Sequence, residues 1–334
     1  MLTRFFRQDR LTALLPLPLL VLLLWPGAST GGGSPYATGT GLLGHMVTGM
    51  PLYLPISHLM ELAPWVASVV SMLVLSGVAM GLVRMANDTE LYERRNFLPS
   101  LLVVVLLALL PFGLLPDPAM LGMWAVLWAL GRTWRAVGRP NVRTALFDAG
   151  LLLGLASLFY LPYAFLTVVM WSTLAVTRPL SLREYLLPPL GLATMLFLGW
   201  GTAHFFGPDR WDPVGSMHFR PLAPLPGMHW MHRLLLLSVL AVLAISVIVS
   251  VTGIYARSVM REKNIRASLL AFSFAMALLA LFAWWLDGRI PPVLLAVPGA
   301  LLLAYPLLQT RKPAWADAAL WSLLLLACWA RWAG

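Results

Sequence analysis

Charge is what this sequence has least of. Only 11% of its 334 residues are Asp, Glu, Lys or Arg, while 60% are hydrophobic. Soluble domains carry roughly a quarter charged residues, so the shortage excludes the two ordinary soluble domains that the length would allow. A single membrane domain, 1-334, is the class that remains. Cysteine is nearly absent too. Cys328 stands alone, which excludes an intrachain disulfide and a thiolate metal cluster. There is no Walker-type phosphate loop, no glycine-rich dinucleotide turn after a strand and no nucleophile elbow. No internal repeat supports an inverted-repeat transporter, and no acid stands near the middle of an apolar run, where a proton-coupled carrier wants one.

The charge that is present is mostly arginine. A net charge of +10 and a pI near 10.5 raise the question of nucleic acid, but a nucleic-acid surface needs a continuous basic face. Here the arginines come in short clusters between apolar runs, the pattern of a cytoplasmic collar facing anionic headgroups. Membrane lipid is therefore the expected partner and nucleic acid is not.

Residues 132–183 organise the rest. Arg132, Arg135, Arg139 and Arg143 precede an apolar run at 145–160; Leu161-Pro162 breaks it; a second run at 164–176 leads to Arg178 and Arg183. This predicts a membrane hairpin with both ends in the cytoplasm. Counting outward predicts an all-α polytopic integral membrane protein of about 11 transmembrane helices: 11–25, 63–83, 97–115, 119–130, 145–160, 164–176, 185–206, 234–254, 267–286, 293–308 and 314–330. Arg4, Arg7 and Arg10 ahead of 11–25 have the form of a signal peptide, with Gly27-Ala28-Ser29 as a weak cleavage site; we read the segment as a retained first anchor. With the amino terminus cytoplasmic, the inner loops are 84-96, 131-144, 177-184, 255-266 and 309-313. Of the 23 Lys and Arg residues, only Arg210, Arg220, Arg233, Arg289 and Arg331 then face outward, as the positive-inside rule requires of a cell inner membrane protein.

Two outer loops are long, 26-62 and 207-233. The later half of the first is apolar with scattered polar groups and suits a helix lying in the interface. The second is rich in Pro, Trp and His. All six histidines fall on this outer side: His45, His58, His204, His218, His229 and His232. His58 and Glu61 are three apart, as are His229 and His232, so each pair shares a helical face. Bland roles compete with chemical ones. Interfacial histidines serve as anchors, and Glu61 just before the second span complements that helix's amino-terminal dipole. A zinc site needs three or four convergent ligands, and two pairs on separate loops fall short of that. Asp148, one and a half turns after Arg143, is expected to form a local ion pair or a headgroup contact, and Glu90 to pair with Arg94 four residues on in a short solvated helical turn.

Two resemblances follow from the order of these pieces. Arg94-Arg95-Asn96-Phe97 leading a run that ends in Pro111, then Pro116-Asp117-Pro118, then the segment 143–160 resemble a family of Gram-negative bacterial multi-pass proteins known only as a domain of unknown function. More distantly, the long first outer loop, the Arg-Arg turn and the Gly-Leu-x-x-Gly-Leu-Ala run from Gly150 to Ala156 are similar to glycosyltransferases of the GT-C type. That second likeness implies an enzyme handling a polyprenyl-phosphate-linked sugar at the outer face. Because 26–60 contain no acid, the catalytic carboxylate would be Glu61, with His229 and His232 near the lipid phosphate, Arg210 or Arg220 as its charge-assisted donor and His58 as a further substrate-binding residue. The cofactor is unknown, and a divalent metal is the one such a carboxylate would hold. The alternative is a non-catalytic assembly or scaffold protein that holds a partner through the same outer loops.

Reporter fusions test the topology. Fusions at Val137, Asn264 and Thr310 should report the cytoplasm, and fusions at Ser34 and Val214 the outer side. If Ser34 and Asn264 report one compartment, the span map is wrong.

Overall fold

The computed structural model describes residues 6, 16–24, 50–62, 64–110, 113–136, 142–177, 181–205, 241, 244–249, 252, 260–287, 290–310 and 313–332. Among them every regular element is helical. In chain order the helices are α1 (Pro16–Leu23), α2 (Leu54–Leu62), α3 (Pro64–Asp88), α4 (Leu98–Leu109), α5 (Pro118–Ala136) and α6 (Arg143–Phe159). A 3-10 turn (Leu161–Leu166) leads into α7 (Thr167–Thr177), followed by α8 (Leu182–Phe205), α9 (Met260–Asp287), α10 (Pro292–Gln309) and α11 (Pro313–Trp332). Four of these are long and apolar enough to cross a membrane, over Trp65–Asp88, Leu182–Phe205, Glu262–Trp285 and Pro292–Gln309. The expected run at 234–254 lies mostly outside the described residues.

The core forms around α4. Its Leu/Val sequence is apolar on every side, which suits a helix enclosed by others, and all twelve of its residues are buried. It packs on α3, α10 and α11, and also touches α1. This corrects the expected span 97–115. Twelve residues reach only about 18 Å, against a hydrocarbon core of about 30 Å. The helix can stop early because the chain beyond it is enclosed in protein. Its last turn tightens through the Leu110 N–H donating to the Leu107 carbonyl, and the Ser71 hydroxyl of α3 donates to the Leu114 carbonyl. Irregular backbone at membrane depth is tolerated where neighbours supply such partners.

The hairpin at 145–176 is present as a chain reversal, with a different packing from the one expected. Its legs share an apolar cluster at the arginine end, where Leu146 meets Leu174. Each leg otherwise finds another partner: α6 lies between α5 and α8, and α7 packs on α9. The α6–α8 contact is the most extensive in the chain and depends on glycine. A β-carbon at Gly150 would strike the Pro188 carbonyl oxygen, one at Gly154 would lie 2.6 Å from Met195 Cβ, and one at Gly191 would strike the Phe147 carbonyl oxygen. Gly150 and Gly154 are four apart, so both face α8 and let the two backbones approach. On its other side α8 is lipid-like: Leu182, Phe197 and Phe205 are 78%, 68% and 86% exposed.

Pro188 and Pro189 lie inside α8. Proline has no N–H, so Pro189 cannot donate to the carbonyl four residues earlier, that of Tyr185. The Trp171 indole N–H of α7 donates to it at 2.9 Å. A second polar chain crosses the core near the arginine end. Trp134 Nε1 donates to Ser268 Oγ at 2.6 Å, Ser268 meets Thr173 Oγ1 at 2.5 Å, and Thr173 donates to the Val169 carbonyl at 2.8 Å. It explains why α5 runs to Ala136 and past the expected end at 130, since Trp134 is buried and paired instead of wet.

Replacing Gly150 by Ala should lower thermal stability in detergent by about 1–3 kcal/mol, the usual cost of forcing a methyl into a closed packing. Reactivity of the lone Cys328 with a thiol dye during heating provides the readout. An unchanged midpoint would refute the close α6–α8 approach.

Candidate functional site

The described polar groups gather at two chemically distinct ends. At one, the carboxyl end of α6, the segment before α2 and the connector 113–117 come together. The Leu52 N–H donates to the Leu158 carbonyl at 3.4 Å, the buried Tyr53 phenol to the Pro116 carbonyl at 3.4 Å, and the Tyr163 phenol to the Ala119 carbonyl at 2.6 Å. Helix α2 rests on α3 through Tyr53, Met60 and Ala67, which cluster with Leu121. The expected helix in the later half of the first outer loop is therefore formed.

Helix α2 carries His58, which is exposed, and Glu61. Glu61 falls in the last turn of α2, one helix earlier than the dipole argument assumed, and α3 begins three residues on at Pro64. At the end of α8, His204 Nδ1 lies 3.2 Å from the Trp200 carbonyl and its ring packs 4.4 Å from that indole. Arg210, Arg220, His229 and His232, with their neighbours in loop 207-233, lie outside the described residues. Among the described residues no three His, Cys, Asp or Glu side chains converge as a metal site would require.

The acid that this end buries is Asp117, only 7% exposed. Sequence reasoning placed it on the outer side and gave it no role. It caps α5: its Oδ1 accepts the Met120 N–H at 2.5 Å, the third residue of the helix, which satisfies one orphan donor there. The Asp-Pro at a helix start was the signal available for this. Burial pushes its carboxyl up to about 7, against the lowering effect of the Met120 hydrogen bond. Tyr163 is near enough to feel its charge. An acid that titrates near neutrality, beneath the helix bearing His58 and Glu61, can give or take a proton at working pH.

The other end holds the arginines and a cavity of about 580 Å³. Helix α3 closes over it in a Schellman turn: the Leu91 N–H donates to the Ala86 carbonyl and the Glu90 N–H to that of Asn87, with Glu90 in the left-handed region at φ 54°. Glycine is the usual occupant of that position, and a side chain there costs on the order of 1–2 kcal/mol. This replaces the solvated helical turn expected from Glu90 and Arg94. Asp88 pairs with Arg135 at 3.5 Å and with Arg84 at 3.8 Å, and Glu262 with the largely buried Arg266 at 3.2 Å. Below them Tyr92 and Tyr305 pack ring to ring at 5.0 Å. Each phenol donates to the other segment's backbone, Tyr92 to Leu301 and Tyr305 to Leu91. Burial holds the Tyr92 phenol well above its ordinary range, so it stays a donor. Asp148 pairs with Arg132 at 3.5 Å, not with Arg143 as expected, because α5 and α6 lie side by side and bring the two together.

The buried carboxyl makes stability depend on pH. Unfolded Asp117 loses its proton near 3.8 and folded Asp117 near 7, so its contribution is full below about 3.8 and is lost as pH rises through about 7. Asp117→Asn keeps the cap acceptor and removes the titration. Thermal midpoints at pH 5 and pH 8 should therefore fall more with rising pH in the natural chain than in the variant. Equal slopes would mean that Asp117 is not held in its buried, neutral form.

The profile of a Family of unknown function (DUF6427) matches residues 47–330, a stretch that takes in every helix described above except α1. Neither curated proteins nor solved structures yield a match.

Proposed function

The chain belongs to this family of unknown function, and for it we propose a role as a multi-pass inner-membrane protein that handles or transfers a polyprenyl-phosphate-linked sugar at its outer face. The observation that supports the reading is the convergence at the Tyr53–Tyr163 end of a short helix bearing His58 and Glu61 with a buried acid, Asp117, held near neutrality. Transfer from a phosphate-linked sugar needs a base, or a carboxylate holding a metal, near the acceptor, and donors to the leaving phosphate. In this reading Glu61 is the base or metal-holding acid, with a divalent metal as the cofactor it would hold. His58, His229 and His232 stand near the phosphate, and Arg210 and Arg220 pair with it. Asp117 is the second acid, a proton reservoir at the same end. About 11 spans with the amino terminus in the cytoplasm put all of these on one side.

The Gly150 to Ala156 run supports the likeness to GT-C enzymes less than it first did. Gly150 and Gly154 are accounted for by the approach of α8, which any closely packed helix pair would need.

The test uses purified protein in nanodiscs doped with a polyprenyl phosphate or with phosphatidylglycerol at equal charge. Native mass spectrometry should show the polyprenyl phosphate retained preferentially, and Arg210→Ala with Arg220→Ala should reduce that retention about tenfold. With a radiolabelled polyprenyl-phosphate sugar, Glu61→Gln should lower turnover by about a hundredfold or more while retention is kept. Full turnover in Glu61→Gln would remove that residue from the chemistry. No preferential retention and no turnover in the natural chain would leave the non-catalytic assembly protein as the better reading.

A further inference from the structure

The cavity at the arginine end plays no part in the outer-face reading. It lies between the end of α3, the turn after it, the end of α5 and the start of α9. About 580 Å³ is the size of a small-molecule or headgroup site. Its lining has both signs of charge in quantity: Asp88, Glu90, Glu93 and Glu262 against Arg95, Arg135 and Arg266. The chain has 13 acids against 23 Lys and Arg, so four carboxylates beside three arginines in one cavity is a local reversal of the overall balance. Asp88 already pairs with Arg135, and Glu262 with Arg266, so a ligand of one sign alone would leave the opposite member of such a pair unmet. A ligand with both charges can place each against its opposite.

Two further features show that the site is built. Arg266, a charged side chain, is 8% exposed and forms part of the wall, and burying a guanidinium is tolerated only with partners arranged around it. Glu90 occupies a left-handed backbone position that glycine would fill with less strain, and strain kept at a cavity wall points to use of the side chain. We propose that this cavity binds a phosphoethanolamine-type zwitterion, its phosphate against Arg95 and Arg135 and its ammonium against Glu90 and Glu93. The arginine clusters mark this end as the one that meets lipid headgroups. The ligand is accordingly either the headgroup of an ethanolamine phospholipid or the free zwitterion.

The experiment takes the full chain from mixed micelles holding equal phosphatidylethanolamine, phosphatidylcholine and phosphatidylglycerol, and counts retained lipids by native mass spectrometry. Phosphatidylethanolamine should be retained at least fivefold over the other two, since the choline headgroup has no N–H donor for the carboxylates and the glycerol headgroup no cation. Glu90→Gln and Arg95→Gln should each bring that preference down to about twofold or less. Glu90→Gly should do the same while leaving the thermal midpoint equal or higher, because it relieves the backbone as it removes the carboxylate. Soluble phosphoethanolamine that displaces the lipid identifies the free zwitterion as a ligand; retained lipid under the same titration identifies the headgroup. Equal retention of the three lipids with no displacement overturns the proposal, as does an unchanged preference in all three variants. The outer-face assay uses a different lipid and different residues, so either can fail without the other.

Discussion

Backbone carbonyls left without an N–H partner inside an apolar bundle set the terms for the whole structure. Each costs free energy if it stays unpaired in a medium without water, and this chain breaks its helices often enough to make many. At these breaks a hydroxyl or indole from elsewhere in the chain donates to the exposed carbonyl. Tyr53 serves Pro116, Ser71 serves Leu114, Tyr305 serves Leu91 and Trp171 serves Tyr185, while Tyr163 and Tyr92 add a second bond to the helical carbonyls of Ala119 and Leu301. These bonds also fix which helices are neighbours. The two ends of the molecule, each with its polar groups, are positioned by them.

Much of the helical arrangement could be read from hydrophobic runs, because a run bounded by arginine or proline marks a helix whatever it packs against. The run 63–83 became Pro64–Asp88, 267–286 became Met260–Asp287, and 293–308 became Pro292–Gln309. What could not be read was partnership. Leu161-Pro162 announces a reversal, but the legs do not embrace, since the glycines that permit the closest approach, at 150, 154 and 191, match α6 to α8. Apolar length was equally silent about α4. A long run at 97–115 looks like a span, and only the enclosing helices show that its last third has left the helix.

The sites show the same division. Helical spacing marked His58 and Glu61, and the structure puts both on α2. Asp117 was visible as an acid between two prolines, yet its burial comes from Tyr53 and Tyr163, 64 and 46 residues away, which no local pattern reveals. The cavity at the arginine end was the least legible feature. Its walls come from three separated segments, and its carboxylates looked in the sequence like ordinary solvated loop charges paired along a helix. The left-handed turn takes Glu90 and Glu93 out of the helix, while Asp88 and Glu262 keep partners four residues away in theirs, Arg84 and Arg266.

Helix α4 has a consequence for how the chain is made. Its partners include α10 and α11, which emerge from the ribosome about 200 residues after it. Until they arrive, a twelve-residue helix with an unwound tail has neither the length to cross the bilayer nor the neighbours that excuse it. Insertion of the early segments and completion of their packing must then be separate events, with the half-built bundle waiting on its last pieces. A membrane chaperone or insertase that holds α3 to α5 in that interval would be guarding a helix that ends up buried on every side.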